Sequence, residues 1–350
     1  MNAWGKGFTG IALACVLTAC GGGGDGGSSN GGFADPNGFT LSATVGGTKV
    51  QSFSAGNGQT ATLTVKSGQD LRFDTDKDVN WKAGDKTSYT DFLVKGASTQ
   101  SWTASSMSPP GGTFTVTATS AKDASKSVKV TVTVTPHEYT AGAPQTVGRV
   151  TTWEEATTYT STAPETHERV NKTTAVDANT GIATILSKLD NVDNETYGQD
   201  ADGNRLSRLR TADGRFCTYN PKRTLVSFPM SVGKSWTSSW TYNCTSVTPG
   251  APGYQETTNI TSKVEAYEPL TTPMGTLNTL RIHHVETTTK SNDEGLQNGL
   301  SGNAAYGTDM VCWWDVVGLR TVKCDLVNTY QGTVTTNHTK TFTQVLKSVQ

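Results

Sequence analysis

The sequence predicts an all-β protein, a β-sandwich followed by a larger antiparallel sheet curled into a full or partial barrel. Three observations predict it. Of 350 residues, 60 are Thr and 37 Gly, while only 17% are charged. β-Branched side chains suit a pleated surface, and Gly suits the reversals between strands. Runs such as Thr60-Ala61-Thr62-Leu63-Thr64-Val65 and Thr113 to Thr119 alternate with period two, as half-buried antiparallel strands do. Across residues 148–350, turn dipeptides separate strand-like runs and a helical period is almost absent. Eight Trp, ten Tyr and ten Phe are too many for a chain that never builds a core. No apolar run approaches the roughly 20 residues that cross a bilayer as a helix. A net charge of −1 gives no electrostatic footprint for nucleic acid.

The N-terminal residues indicate the compartment. Lys6 is the only charged side chain before Asp25, and Phe8 to Leu17 is an apolar stretch of the size of a secretory h-region. It ends in Leu17-Thr18-Ala19-Cys20, which resembles the lipobox of bacterial lipoproteins. The resemblance implies cleavage of residues 1–19, lipidation of Cys20 and anchoring in a membrane. Gly21 follows in place of the Asp that resembles an inner-membrane retention signal, so the outer membrane of a Gram-negative bacterium is expected. Residues 20–37 then form a tether. Eight glycines among Gly21 to Gly32 make it flexible, with an r.m.s. span of roughly 20 Å. Gly27-Ser28-Ser29-Asn30-Gly31 matches the hydrolase pattern G-x-S-x-G. Without a preceding strand and a following helix, the strained turn that exposes a nucleophile cannot form there.

Residues 38–136 form the first β domain. Val128, Val130, Val132 and Val134 share one face, and the turn spacing predicts a seven-strand sandwich. Trp81, after Leu71-Arg72-Phe73 and an acidic turn, is the expected large core aromatic. The segments Asp78-Val79-Asn80-Trp81 and Gly112 to Ala121, with the closing Val-Thr alternation, resemble bacterial immunoglobulin-like domains. Those domains serve as spacers or adhesive modules on bacterial surfaces. Residues 137–147, with Gly142 and Pro144, read as a linker.

The second domain spans residues 148–350. Asp202-Gly203 and Asp213-Gly214 predict hairpins, and Trp236, Trp240, Tyr242 and Cys244 share one face of a strand. Val264 to Leu277 reads strand, Pro-Met-Gly reversal, strand. Three more strands are expected around Val311 to Val316, Leu319 to Leu326 and Thr333 to Val345. Long serial strands of this kind curl into up-and-down barrels. Phe228-Pro229-Met230-Ser231-Val232-Gly233-Lys234-Ser235-Trp236, Pro273-Met274-Gly275-Thr276-Leu277 and Trp313-Trp314-Asp315-Val316-Val317-Gly318-Leu319 resemble a family of secreted, β-rich bacterial domains of unknown function. Its members read approximately FPLxVGKxW, VPAGTF and WYxPxVG. Met274 replaces the usual Ala, and Asp315-Val316 departs from x-Pro. The resemblance bears on fold, and it supplies no catalytic residues.

Four cysteines remain after the anchor, and an even number in an exported chain implies disulfides. Cys312 and Cys324 lie equally far from Gly318, the apparent turn of a hairpin, so they face each other, with Trp314 and Val322 on the same side. Cys217 then pairs with Cys244. The spacing lacks the Cys-x-x-Cys of a zinc site. His283 and His284 are neighbours on a strand and point to opposite faces, so they cannot share a metal. Asp74, Asp76 and Asp78, with Asn80 and Asp85, and a second set at Asp200, Asp202 and Asn204, have spacings that calcium loops use. In the first set Val79 stands where the loop needs Gly, and acidic turns are common between strands, so no metal is expected. Trp313 is the outward member of its pair. A binding surface, a contact with the first domain and protection of a sheet edge remain open for it.

No catalytic constellation and no cofactor stand out. A non-enzymatic, lipid-anchored envelope protein with a structural, adhesive or binding-surface role is expected. Its partners would be the membrane and an envelope protein, glycan or lipid. The alternatives are a carrier holding an acyl chain or other apolar ligand in the curved sheet, and a hydrolase of envelope glycans, for which no paired carboxylates stand out.

Overall fold

The computed structural model describes residues 35–87, 91–107, 111–246, 249, 253–291, 305–331 and 338–350. The lipobox, Cys20 and the glycine-rich tether to residue 34 lie outside the described residues. All the described regular structure is β, and Asn37–Gln350 group as one compact unit.

The first part of that unit contains β1 (Thr40–Val45), β2 (Thr48–Ser54), β3 (Gly56–Asn57), β4 (Gln59–Lys66), β5 (Asp70–Thr75), β6 (Val79–Gly84), β7 (Asp91–Ala97), β8 (Ser101–Met107), β9 (Gly112–Ser120) and β10 (Lys126–Thr135). They build two five-stranded sheets, ordered β2-β1-β5-β8-β7 and β3-β10-β9-β6, with β4 joined to β10. The sheets share one core, to which β1 and β5 give Leu41 and Phe73 and β9 and β10 give Phe114, Val130 and Val132. Ten strands thus replace the expected seven.

Two details differ from expectation. Residues 60–65 lie in β4, which runs parallel to β10, from Val128↔Gln59 to Thr135↔Lys66. The chain turns at Gly58, whose φ is 68°, so β3 meets the start of β10 antiparallel and β4 continues beside it in parallel. Alternation cannot separate the two cases, because Leu63 and Val65 point inward in either. Trp81 is only half-buried, with its indole N–H donating to the Ser98 carbonyl at 2.9 Å. Trp102 on β8 occupies the centre, 6.0 Å from Phe73 and 5.8 Å from Phe92 between ring centroids. An indole with an N–H to satisfy settles at the rim of an apolar core, where a carbonyl can reach it.

The second part contains β11 (Val150–Tyr159), β12 (Glu165–Val176), β13 (Ala183–Leu189), β14 (Val192–Gln199), β15 (Arg205–Arg210), β16 (Phe216–Arg223), β17 (Ser235–Cys244), β18 (Tyr254–Thr272), β19 (Gly275–Ser291), β20 (Ala305–Asp315), β21 (Arg320–Tyr330) and β22 (Thr339–Val349). These twelve strands form a closed barrel in sequence order. The sheet is therefore a full barrel. Its seam is β11 against β22, completed by reciprocal 2.9 Å hydrogen bonds between Val150 and Gln350. The Asp-Gly turns form as expected, with Gly203 at φ 90° and Gly214 at φ 68°.

Residues 137–147 are more than a passive linker. Tyr139 and Met230 exchange backbone hydrogen bonds of 2.8 and 2.7 Å, and the Ala143 N–H donates to the Leu319 carbonyl at 2.7 Å. The Tyr139 ring meets Trp314 edge-on at 5.3 Å, in a buried cluster with Met230, Val264, Leu280 and Ile282. The connector is thereby stitched across one end of the barrel.

Two of the three family-like motifs, the first and the third, meet at that same end. Phe228, Val232 and Trp236 pack on the cluster around Met230. The Lys234 ammonium donates to the Ser227 and Pro229 carbonyls at 2.5 and 2.6 Å. Asn204, 2% exposed, accepts from the N–H groups of Leu225 and Val226 and donates to the Val226 carbonyl. In the third motif Asp315 accepts from the N–H groups of Val317 and Gly318 at 3.0 and 2.9 Å. Any Cβ at Gly318 would collide with that carboxylate, which is why Gly stands there. Within this chain these two motifs specify a barrel cap.

Candidate functional site

The barrel interior is polar on one wall and apolar on the other. The polar wall comes from β12 and from β14 to β16. β12 supplies Arg169, β14 supplies Glu195 and Tyr197, β15 supplies Arg205 and Arg208, and β16 supplies Arg223. Residues three apart on a flat strand face opposite sides. Here the register shifts between Arg205 and Ser207, a bulge that turns both arginines inward. The facing wall lies half-way around the strand order, on β19 to β22. It presents Ile282, Met310, Leu326, Phe342 and the Cys312–Cys324 disulfide. Between the walls is a cavity of about 370 Å³. A second cavity of about 160 Å³ lies beneath the connector at Gly142, Ala143 and Gln145. Both cavities are lined by Trp153, Asn171, Tyr197 and Gln199, so the two are neighbours.

Glu195 organises the polar wall. Only 3% exposed, it lies 3.8 Å from Arg169 and 3.5 Å from Arg205, and it forms a close ion pair with Arg208. Burial alone would raise the pKa of its carboxyl. The combined field of Arg205, Arg208 and Arg169 outweighs that and holds it below the usual carboxylate value. Arg169 also donates to Glu155 at 2.6 Å and to Ser187 at 2.8 Å. Arg205 lies over the Tyr197 ring at 4.1 Å, and Arg223 stands 5.8 Å from the Trp240 ring and 3.8 Å from Glu286. In the annex, Arg149 has its pKa lowered by burial and by Arg320.

His284 also faces the cavity, 1% exposed, with Nδ1 2.7 Å from the Ser262 hydroxyl across the β18–β19 ladder. Burial, then Arg223 and His283, bring its pKa down to about 3. Such an imidazole stays neutral at physiological pH. It is too weak a base to activate the hydroxyl, despite a hydrogen bond of the length a nucleophile–base pair would have.

The sequence-selected residues fall elsewhere. Cys217 pairs with Cys244 and Cys312 with Cys324 as cross-strand disulfides, with Trp314 and Val322 buried beside the second. His283 points outward, between Glu265 at 3.3 Å and Asp309 at 3.1 Å. Trp313 lies on the outer face, where its indole N–H donates to Glu268 at 2.8 Å and Lys323 covers its ring at 4.8 Å. β20 is paired on both sides, so Trp313 does not protect a sheet edge.

The acidic sets are directed to protein partners. Asp74 binds Arg72, Asp76 accepts from the Thr40 N–H, Asp78 from Gln100, and Asp85 pairs with Lys129. Asp200 accepts from the N–H groups of Asp202 and Asn204 and pairs with Lys222. Among the described residues, no group of three His, Cys, Asp or Glu is placed to hold a metal ion.

Sequence reasoning missed Arg169, Glu195, Arg205, Arg208 and Arg223. The signal was present in Arg205-Leu206-Ser207-Arg208-Leu209-Arg210, an unusually basic strand flanked by turn residues. Strict alternation would place its charges on both faces, and a bulge leaves no mark in such a pattern.

No family model matches the chain, and no curated protein is similar to it. Among solved structures, the chain is similar to a protein from Bacteroides fragilis described as exported, with a YmcC-like fold. The identity is 10% and the TM-score 0.37, covering 60% of this chain and 99% of that one. It is also similar to a protein from Parabacteroides distasonis described as a lipoprotein, at 10% identity and TM-score 0.31, covering 61% and 100%. A third likeness is to the hypothetical lipoprotein YmcC from Escherichia coli, at 9% identity and TM-score 0.32, covering 57% and 83%. These are loose likenesses, and they say nothing of ligand or activity.

Proposed function

We propose that this is an exported, lipid-anchored envelope protein without catalytic activity, whose barrel interior binds a small ligand. Cys20 would carry the anchor in the outer membrane, residues 20–37 the tether, and the ten-stranded sandwich an immunoglobulin-like spacer. The observation that carries the reading is the two-walled cavity of about 370 Å³ inside a closed barrel. That size falls within the range of small-molecule sites, which combine apolar walls with a few placed polar groups. A hydrolase is disfavoured because Glu155 and Glu195 are both held by arginines, and because His284 is a poor base. An adhesive surface is disfavoured at Trp313, whose indole is tied to Glu268 and covered by Lys323.

The test is mass spectrometry of the mature chain purified under native conditions, before and after organic extraction. A non-covalent mass lost on extraction is expected. A bare polypeptide mass, together with no change in melting temperature across a panel of small amphiphiles, would overturn the binding role. Labelled palmitate should enter the wild-type chain and not Cys20→Ser.

A further inference from the structure

We infer that the chamber takes an anionic amphiphile, a single carboxylate or phosphate head on an apolar body. This rests on reading the barrel as a binder and names the class of ligand. The charge lining this cavity is unbalanced: four guanidinium groups, at Arg169, Arg205, Arg208 and Arg223, stand against two carboxylates, Glu155 and Glu195. Glu286, outside the lining, reaches Arg223 only at 3.8 Å. Counting it still leaves one cation in excess.

The excess has a location. Arg169 is taken up by Glu155 at 2.6 Å and Ser187 at 2.8 Å, and Arg205 and Arg208 share the one carboxylate of Glu195. Arg223 has an aromatic face, a neutral imidazole and a distant carboxylate for neighbours. The side chains of Arg205, Arg208 and Arg223 keep 29%, 33% and 27% of their exposure. All three line the cavity. Planar guanidinium forks on neighbouring strands match the oxygens of a carboxylate or phosphate, where a neutral head would leave the cations poorly compensated. Ile282, Met310, Leu326 and Phe342 on the facing wall offer nothing to a hydrated ion but would bury an alkyl or aryl body. A wholly apolar ligand would desolvate the arginines without compensation.

The test is calorimetric titration of the full chain carrying Cys20→Ser, so that its own acyl chains cannot enter the chamber. The probes are octanoate, octyl phosphate, 1-octanol, acetate and inorganic phosphate. Octanoate or octyl phosphate should bind at least tenfold more tightly than 1-octanol, and acetate and inorganic phosphate at least tenfold more weakly than the matching amphiphile. Arg223→Gln should weaken the amphiphilic anion at least tenfold and 1-octanol far less. Equal binding of octanoate and 1-octanol would overturn the anionic head while leaving the barrel a binder. Inorganic phosphate binding as tightly as octyl phosphate would overturn the apolar body. No binding by any probe overturns the inference, and with a bare native mass the binding role falls too. Should Arg223→Gln fail to fold, the head-group series on the parent chain still decides.

Discussion

Acidification from pH 6.5 to 5 should destabilise the barrel by about 2 kcal/mol, and His284 should account for it. The imidazole is 1% exposed and its pKa is lowered from 6.5 to about 3. Between those values the unfolded chain binds a proton at this position and the folded chain does not. Stability therefore falls as pH falls, by roughly 1.4 kcal/mol per pH unit for one site. Over the 1.5 units below 6.5 this amounts to about 2 kcal/mol. Two other groups titrate outside that window. His167 has a raised pKa through Asp190 and then Glu165, so its contribution is complete below 6.5 and is lost as pH rises. Glu195 has a lowered pKa, so its contribution is complete above its unfolded value of 4.5 and is lost below it. The assay is urea unfolding at half-unit intervals from pH 6.5 to 5, for the parent chain and for His284→Asn. The variant should show a shallower slope, whatever its absolute stability. Equal slopes in the two proteins would refute the buried neutral imidazole.

Other perturbations have equally definite outcomes. Glu195→Gln leaves three arginines around a neutral amide and should cost about 3–5 kcal/mol, as breaking a buried ion pair does. A calorimetric loss under about 1 kcal/mol would show that the carboxylate is not the centre of the polar wall. Replacing Cys312 and Cys324 together by Ala should cost about 3 kcal/mol in urea unfolding, from loop closure across a separation of 12 residues. The parent chain should give no free thiol when titrated under native conditions after the anchor is blocked, and any titratable thiol from these four cysteines contradicts the pairing. Asn204→Ala removes three hydrogen bonds to Leu225 and Val226 and should cost about 2–3 kcal/mol. Limited proteolysis should then cut first between residues 224 and 234, and an unchanged cleavage pattern would mean that the segment is held by packing alone.

The sequence makes the all-β class, the hairpins and both disulfides legible because each depends on local spacing. Alternation fixes which residues face inward, and Asp-Gly fixes where strands reverse. Cys312 and Cys324 follow from counting outward from one turn. What it hides depends on closure and on register. A partial barrel and a closed one share the same alternation, and only the pairing of β11 with β22 separates them. Arg205 and Arg208 face the same chamber because one residue between them is extruded, and no pattern of period two contains that information. Trp81 and Trp102 are equally good core candidates from composition, and the position of the Ser98 carbonyl determined which of them sits at the rim. The motifs that carry the family resemblance proved informative about the cap and silent about the chamber, since they hold residues 225–236 and 313–319 in place.

The β11–β22 seam has a consequence for how this chain is made. The first barrel strand has to wait for the last one, across more than half of the sequence, before its outer row of N–H and C=O groups is occupied. Contacts so distant in sequence form slowly. A chain truncated within β22 would expose two bare strand edges, on β11 and on β21, and such edges invite pairing with other chains. Synthesis proceeds from the N-terminus, so the sandwich can fold while the barrel is still an open ribbon. Barrel closure thus hangs on a single strand, β22, which hides two edges at once.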